Sequence, residues 1–242
     1  MWLLPLLVIF IAGVVQGLTG FGFALVSAPL LSVLMEPRMA MPIVLVQGSL
    51  ITLLLLPDVW RWIDVKMVIP LAVSGLTGIP IGVYLLRIVE GDTLRIAVGI
   101  LVILFSLLLL SGVEGLGGSR GWMTIPVGFL SGLLGGSTTM SGPPVILFLA
   151  NRGVEKRVFR ASLIAYFTLL GVVAIPTYIL NGLITLQTAR WITLLTPSMV
   201  MGAIVGARLS RRVEEKAFKT LTLLLVMASG LLSIITGLGI LR

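Results

Sequence analysis

The residues with the most chemistry to offer lie in one decapeptide, GGSTTMSGPP, at positions 135–144. It holds four hydroxyl side chains (Ser137, Thr138, Thr139 and Ser141), three glycines and two prolines, between the apolar runs GWMTIPVGFLSGLL and VILFLA. Gly135 and Gly136 weaken a helix, whereas Pro143 and Pro144 lack N–H donors and suit a helix's first turn. The pattern predicts a helix that breaks and restarts, with Ser141 or Gly142 as N-cap of the half-helix VILFLA. Such a start exposes free N–H groups and about half a positive charge, which suits an anion. Ser and Thr inside membrane helices often bond only their own backbone. Close helix packing, however, needs no four hydroxyls beside a double-proline start, so the decapeptide reads as a ligand site.

The elements around it follow from composition. The chain has 242 residues, 58% hydrophobic and 11% charged, with a mean hydropathy of +1.18. A soluble domain carries about 25% charged residues. This chain cannot cover itself with polar groups, so its solvent is lipid. A spanning helix needs about 20 apolar residues, and roughly eight segments qualify: about 2–35, 39–57, 66–86, 93–112, 121–150, 159–180, 188–209 and 217–239. The first lacks a basic leader region and runs straight into a second apolar stretch, so it is read as part of the mature protein. The expected fold is all-α and polytopic, with no soluble domain.

An internal repeat organises these segments. At a shift of 115, GVVQGLTGFGFALVSAPLL (13–31) lies over GFLSGLLGGSTTMSGPPVI (128–146), matching Gly13, Gly17, Leu18, Gly20 and Pro29 with Gly128, Gly132, Leu133, Gly135 and Pro144. At a shift of 124, Gly78, Gly82 and Arg87 meet Gly202, Gly206 and Arg211. The expectation is two homologous four-element repeats, 1–112 and 125–242, joined by a loop at 113–124, each opening with a broken helix. Gly/Pro-interrupted segments at matching positions point to a transporter's binding site. In the first half Ser27 is expected to cap a half-helix starting near Pro29, with Gln16, Thr19 and Gly20 as further site residues. If the broken segments cross the membrane, the halves are parallel repeats; if they return, the halves are inverted. The Gly-xxx-Gly pairs read as close helix packing, and Phe21 and Phe23 as either gate or packing.

Charge sets orientation. Nine of the seventeen Lys and Arg residues fall in two short loops, Arg152 to Arg160 and Arg208 to Lys219, which share a face that the positive-inside rule places in the cytoplasm. Either repeat model leaves twelve Lys and Arg there and five outside. The basic charge is thus topological, and no nucleic-acid partner is expected. No Lys or Arg lies between Arg120 and Arg152 or before Arg38, so an anion at the breaks is expected to be held by helix N-termini and hydroxyls, without a fixed cation. The chain has no Cys and no His, and its nine acids lie in or beside loops. That leaves Ser137 and Ser141 without a base and argues against an enzyme, a cofactor or a metal site. A coupling proton or sodium ion and a homodimer are both compatible with the chain; carboxylate coupling would have to use Asp58 or Asp64.

The segment GFLSGLLGGSTTMSGPPVILFLANRGVEKRVFRASL (128–163) resembles the TauE/SafE sulfite exporter family of bacterial membrane permeases. GLTGFGFALVSAPLL (17–31), IPIGVYLL (79–86) and MGAIVGARL (201–209) extend the resemblance over nearly the whole chain. The resemblance implies a secondary transporter of a small sulfur-containing anion, such as sulfite or an organosulfonate, in the bacterial inner membrane. A passive channel or uniporter, or a carrier of another small carboxylate or oxyanion, is the alternative. Ser137, Thr138 and Thr139 replace the glycines usual in the family's core, which leaves the substrate open.

Overall fold

The computed structural model describes residues 3–110, 123–150, 152, 154–209, 227–228 and 230–240. Most of the expected connecting loop 113–124, and the basic residues from Arg211 to Lys219, lie outside them. Among the described residues every regular element is helical: α1 Leu3–Thr19, α2 Phe23–Leu34, α3 Pro37–Val59 with a 3-10 turn at Trp60–Trp62, α4 Val65–Ile88, α5 Gly91–Leu110, α6 Thr124–Thr138, α7 Gly142–Ala150, α8 Lys156–Leu180 and α9 Leu186–Leu209. Residues 230–237, within the last expected segment, are helical as well.

Among the described residues five helices are long and apolar enough to cross a membrane: α3 with its turn, α4, α5, α8 and α9, with mean hydropathies of 1.5 to 2.2. Their outer surfaces stay apolar, as with Leu180 (87% exposed), Leu186 (72%) and Val172 (66%), which only lipid tolerates on this scale.

Side-chain bridges fix which helix ends share a face. Arg38 Nη2 donates to the Val89 carbonyl at 3.1 Å and Arg95 Nε to the Ser32 carbonyl at 2.7 Å. Arg87 Nη1 reaches Asn181 Oδ1 at 3.1 Å. The ends of α2, α4 and α8 and the starts of α3 and α5 therefore meet on one side, the Arg38 face. The Asp64 N–H donates to Ser162 Oγ at 3.2 Å, joining the starts of α4 and α8 on the opposite, Asp64 face.

Two parallel helix pairs hold the molecule together. Along α1 and α9, Ser198 Oγ donates to the Leu6 carbonyl at 2.7 Å, Gly202 packs on Phe10, and Gly206 packs on Val14. Along α4 and α6, Ser74 Oγ bonds the Ile125 carbonyl, Gly78 packs on Phe129, and Gly82 packs on Leu133. Glycine permits this because the facing backbones touch, as small residues allow in membranes. It follows that α1 enters from the Arg38 face and α6 from the Asp64 face.

Both broken segments turn back. After α1, Gly20 (φ 82°) and Gly22 (φ 104°) take the left-handed conformation, which glycine adopts without strain. The chain returns as α2 to the Arg38 face. After α6, Thr139 (φ 61°) does the same, and α7 returns to the Asp64 face, where α8 starts.

The helix ends recur at a spacing different from the expected register. Thr19 and Thr138, Phe23 and Gly142, and Pro37 and Lys156 each lie 119 positions apart, not 115. The difference of four is one helical turn. Glycines recur every fourth residue at 128, 132 and 136, so Gly13 and Gly17 find glycine partners in either register. The match of Pro29 with Pro144 does not hold: Pro29 lies inside α2, while Pro144 stands in the first turn of α7.

Candidate substrate site between the two helix breaks

A cavity of about 710 Å³, counting its open mouth, lies between the two hairpin tips. The first tip contributes Gln16 and Phe21 to Leu25, and the second Gly135 and Thr139 to Pro143. α3 adds Val44, Leu45, Gly48, Ser49 and Thr52, and α8 adds Phe167, Leu170, Gly171 and Ala174. These two helices cross at the cavity, where Gly171 lies against the Ser49 side chain. The walls are largely apolar, with a few polar groups at the tips. Such a setting strengthens each hydrogen bond to a charged ligand.

Gln16 builds the first tip. Its buried Oε1 accepts the Phe23 N–H at 3.0 Å, and its Nε2 donates to the Gly20 carbonyl at 3.2 Å. One amide thus closes the break and caps α2. Phe23 N–H is occupied, while the N–H groups of Ala24 and Leu25, both on the cavity wall, have no acceptor among the described residues. They are the orphan donors of a helix start. Thr19 Oγ1 donates to the Val15 carbonyl at 2.9 Å and accepts the Phe21 N–H at 3.2 Å, so it shapes the turn without lining the cavity. Gly20 lies behind the wall as well.

The Ser27 expectation is overturned. α2 starts at Phe23, its N-cap is Gly22, and Ser27 is buried one turn in, donating to the Phe23 carbonyl at 2.7 Å. The break is set by the left-handed glycines, which act before Pro29 is reached.

The second tip separates its hydroxyls into two groups. Ser137 Oγ donates to the Leu133 carbonyl and Thr138 Oγ1 to the Leu134 carbonyl, each at 2.9 Å, and neither lines the cavity. Thr139, Ser141 and Gly142 do. Thr139 is the non-glycine residue with positive φ among those described. For a β-branched side chain this is a strained conformation costing on the order of 1–3 kcal/mol, the kind of strain that concentrates at functional sites. The Ser141 hydroxyl has no protein partner among the described residues. Its carbonyl accepts from Ser131 Oγ, which in turn accepts from Tyr166 OH at 2.8 Å. Tyr178 OH holds the Gly136 carbonyl at 2.7 Å. With Pro143 and Pro144 lacking N–H groups, the start of α7 offers fewer backbone donors than that of α2.

Tertiary structure brings one distant cation to the back of the first break, off the cavity wall. Arg160, on α8, donates from Nη2 to the Gly17 carbonyl at 3.1 Å and lies against Gly20. Ser49, Thr52, Ser131, Tyr166 and Tyr178 were not singled out from sequence either. Their one signal there is a lone polar group within an apolar helix.

The fold describes a multipass membrane protein with a cavity between its two hairpin tips. The family model described as "Sulfite exporter TauE/SafE" matches residues 5–233. The chain belongs to the TauE/SafE sulfite exporter family, whose members are membrane transporters and not enzymes. No curated protein and no solved structure matches the chain.

Proposed function

We propose that this protein is a secondary transporter of a small sulfur-containing anion, sulfite or an organosulfonate, working by alternating access around the two hairpin tips. The observation that carries the reading is a cavity walled by both tips. The anion is received by the Ala24 and Leu25 N–H groups and by the Ser141 hydroxyl, with Gln16, Thr139 and Gly142 completing the wall; the Thr139 hydroxyl already donates to the Thr138 carbonyl at 2.6 Å. Thr19, Gly20, Ser137 and Thr138 shape the tips. Binding by a helix start and a few charge-assisted hydrogen bonds, each about 1.5–3 kcal/mol, suits a carrier that must also release its cargo. Uptake into liposomes, screened against sulfite, thiosulfate, sulfate, taurine, sulfoacetate and simple carboxylates, tests this. Saturable flux with counterflow supports a carrier. High flux that never saturates would instead favour the channel reading.

The 119-residue recurrence of helix ends and the opposite entry of the two hairpins support a duplicated unit in inverted orientation, 1–112 and 125–242. Each unit is a re-entrant hairpin followed by crossing helices. We place the Asp64 face in the cytoplasm of a bacterial inner membrane because Lys66, Arg152, Lys156, Arg157 and Arg160 gather there. Since the chain has no native cysteine, single cysteines report topology without background. In intact cells Gly182→Cys is expected to react with an impermeant thiol reagent and Glu155→Cys to be protected. Labelling of both from the outside would refute this orientation.

Ser141→Ala is expected to weaken anion binding by about tenfold, the equivalent of 1.4 kcal/mol. Thr138→Ala and Ser137→Ala are expected to bind within about twofold of the parent, because their hydroxyls serve only their own helix. Isothermal titration of the purified variants measures all three. Equal losses at the three positions would place the anion outside this cavity.

A further inference from the structure

Arg160 is a cation with too few partners. Its Nη2 bond to the Gly17 carbonyl, at 3.1 Å, is its one hydrogen bond among the described residues. Its Nε is buried with no acceptor. Asp58 is within electrostatic reach but forms no ion pair with it among the described residues. A buried donor left without an acceptor is rare in folded proteins and calls for water or a ligand.

Position gives this shortage its meaning. The tip of the first hairpin has the cavity on one side, lined by Gln16, Phe21 and Gly22, and Arg160 on the other. A Cβ added at Gly20 would stand 2.6 Å from Arg160 Cγ and 3.2 Å from its Nε. The tip is thus a wall one backbone layer thick between the ligand cavity and a guanidinium. The Nε and Nη donors of arginine form a fork matched to two oxygens of an oxyanion. Among the described residues the second hairpin has no such cation. There Met41 of α3, 119 positions before Arg160, meets Thr139 Oγ1 through its sulfur at 3.7 Å.

We propose that Arg160 is an anion-accepting latch on the Asp64 face: it holds the first tip closed through the Gly17 carbonyl, and an oxyanion passing the tip takes that carbonyl's place. The cavity then opens to the Asp64 face only when an anion is present to compete for the guanidinium. This rests on the anion-transport reading above.

Hydrogen exchange on the full chain in lipid nanodiscs tests the latch, with sodium sulfite as probe and equal sodium chloride as control. In the parent, sulfite is expected to speed exchange of the amides at 19–24, and chloride is not. In Arg160→Gln those amides are expected to exchange on the order of tenfold faster without any anion, with no further response to sulfite. Arg160→Lys, which keeps the charge, should fall between. The amides of α4 serve as the internal check on folding. If the tip of Arg160→Gln exchanges like the parent's, or still loosens with sulfite, the latch is refuted. Sulfite flux in liposomes, measured beside it, separates the two readings. Flux in a parent whose tip ignores sulfite overturns the latch alone, whereas no flux of any screened anion overturns the transport reading.

Discussion

Gly132→Leu is expected to abolish assembly of the folded protein. A Cβ at this position would overlap the carbonyl oxygen of Gly75, and it would lie 2.6 Å from that residue's carbonyl carbon. The obstacle is backbone on backbone, so no rotamer change relieves it. Overpacking a core by a few methylenes costs about 1–3 kcal/mol, and that figure assumes side chains that can shift. Here α4 and α6 must separate along their whole contact. The hydroxyl chain from Tyr166 through Ser131 to the Ser141 carbonyl, and the bond from Tyr178 to Gly136, would then break. Against a total stability of about 5–15 kcal/mol, that is a large fraction. Size-exclusion chromatography in detergent should show aggregate in place of a single peak. Gly91→Ala is the control: its Cβ would meet Pro37 Cδ at an ordinary 3.6 Å, and it should elute and melt like the parent. A Gly132→Leu protein that did the same would mean the two helices are not in this contact.

Gln16→Glu is expected to remove anion binding while the protein stays folded. Glutamate keeps the acceptor that holds the Phe23 N–H, now 3.0 Å from Gln16 Oε1. It loses the donor to the Gly20 carbonyl, a cost of about 1–3 kcal/mol, and it puts a negative charge on the cavity wall. Two like charges 4 Å apart repel by about 4 kcal/mol at an effective dielectric of 20, and half of that already exceeds a factor of ten in affinity. Gln16→Leu is the comparison, because it deletes both hydrogen bonds and adds no charge. The expected order at neutral pH is parent, then Gln16→Leu, then Gln16→Glu for binding; for melting temperature Gln16→Leu should be the lowest. Anion affinity in Gln16→Glu equal to the parent's would show that the ligand does not approach this wall.

How far these residues can be read from sequence depends on the range of the forces involved. That the chain lives in lipid follows from composition, since 58% hydrophobic and 11% charged residues cannot make a soluble surface. That helices break near Gly20 and near Thr139 is local too: glycine pairs and missing N–H groups act on the residues beside them. Gln16, Thr139, Ser141 and Gly142, all chosen from their neighbourhood in the chain, line the cavity. The clustering of basic residues on the Asp64 face is likewise readable from spacing alone.

What sequence left open is long-range. Whether the broken segments cross or return depends on what the tip meets, and only the packing of α1 on α9 and of α6 on α4 turns them back. Their register escaped because a glycine every fourth residue repeats with the helix itself, so a slip of one turn costs no match. Ser27 was misplaced for a related reason. A serine before a proline is a good cap in isolation, but the left-handed Gly22 starts the helix earlier and leaves Ser27 to bond its own backbone. Arg160 and Gly17 stand 143 positions apart, as invisible to each other in the chain as Ser49 and Gly171. Local preference determined where the helices stop and which groups are polar; only the close approach of helices distant in sequence decided which of those groups face one cavity, because that approach requires glycines on both partners at once.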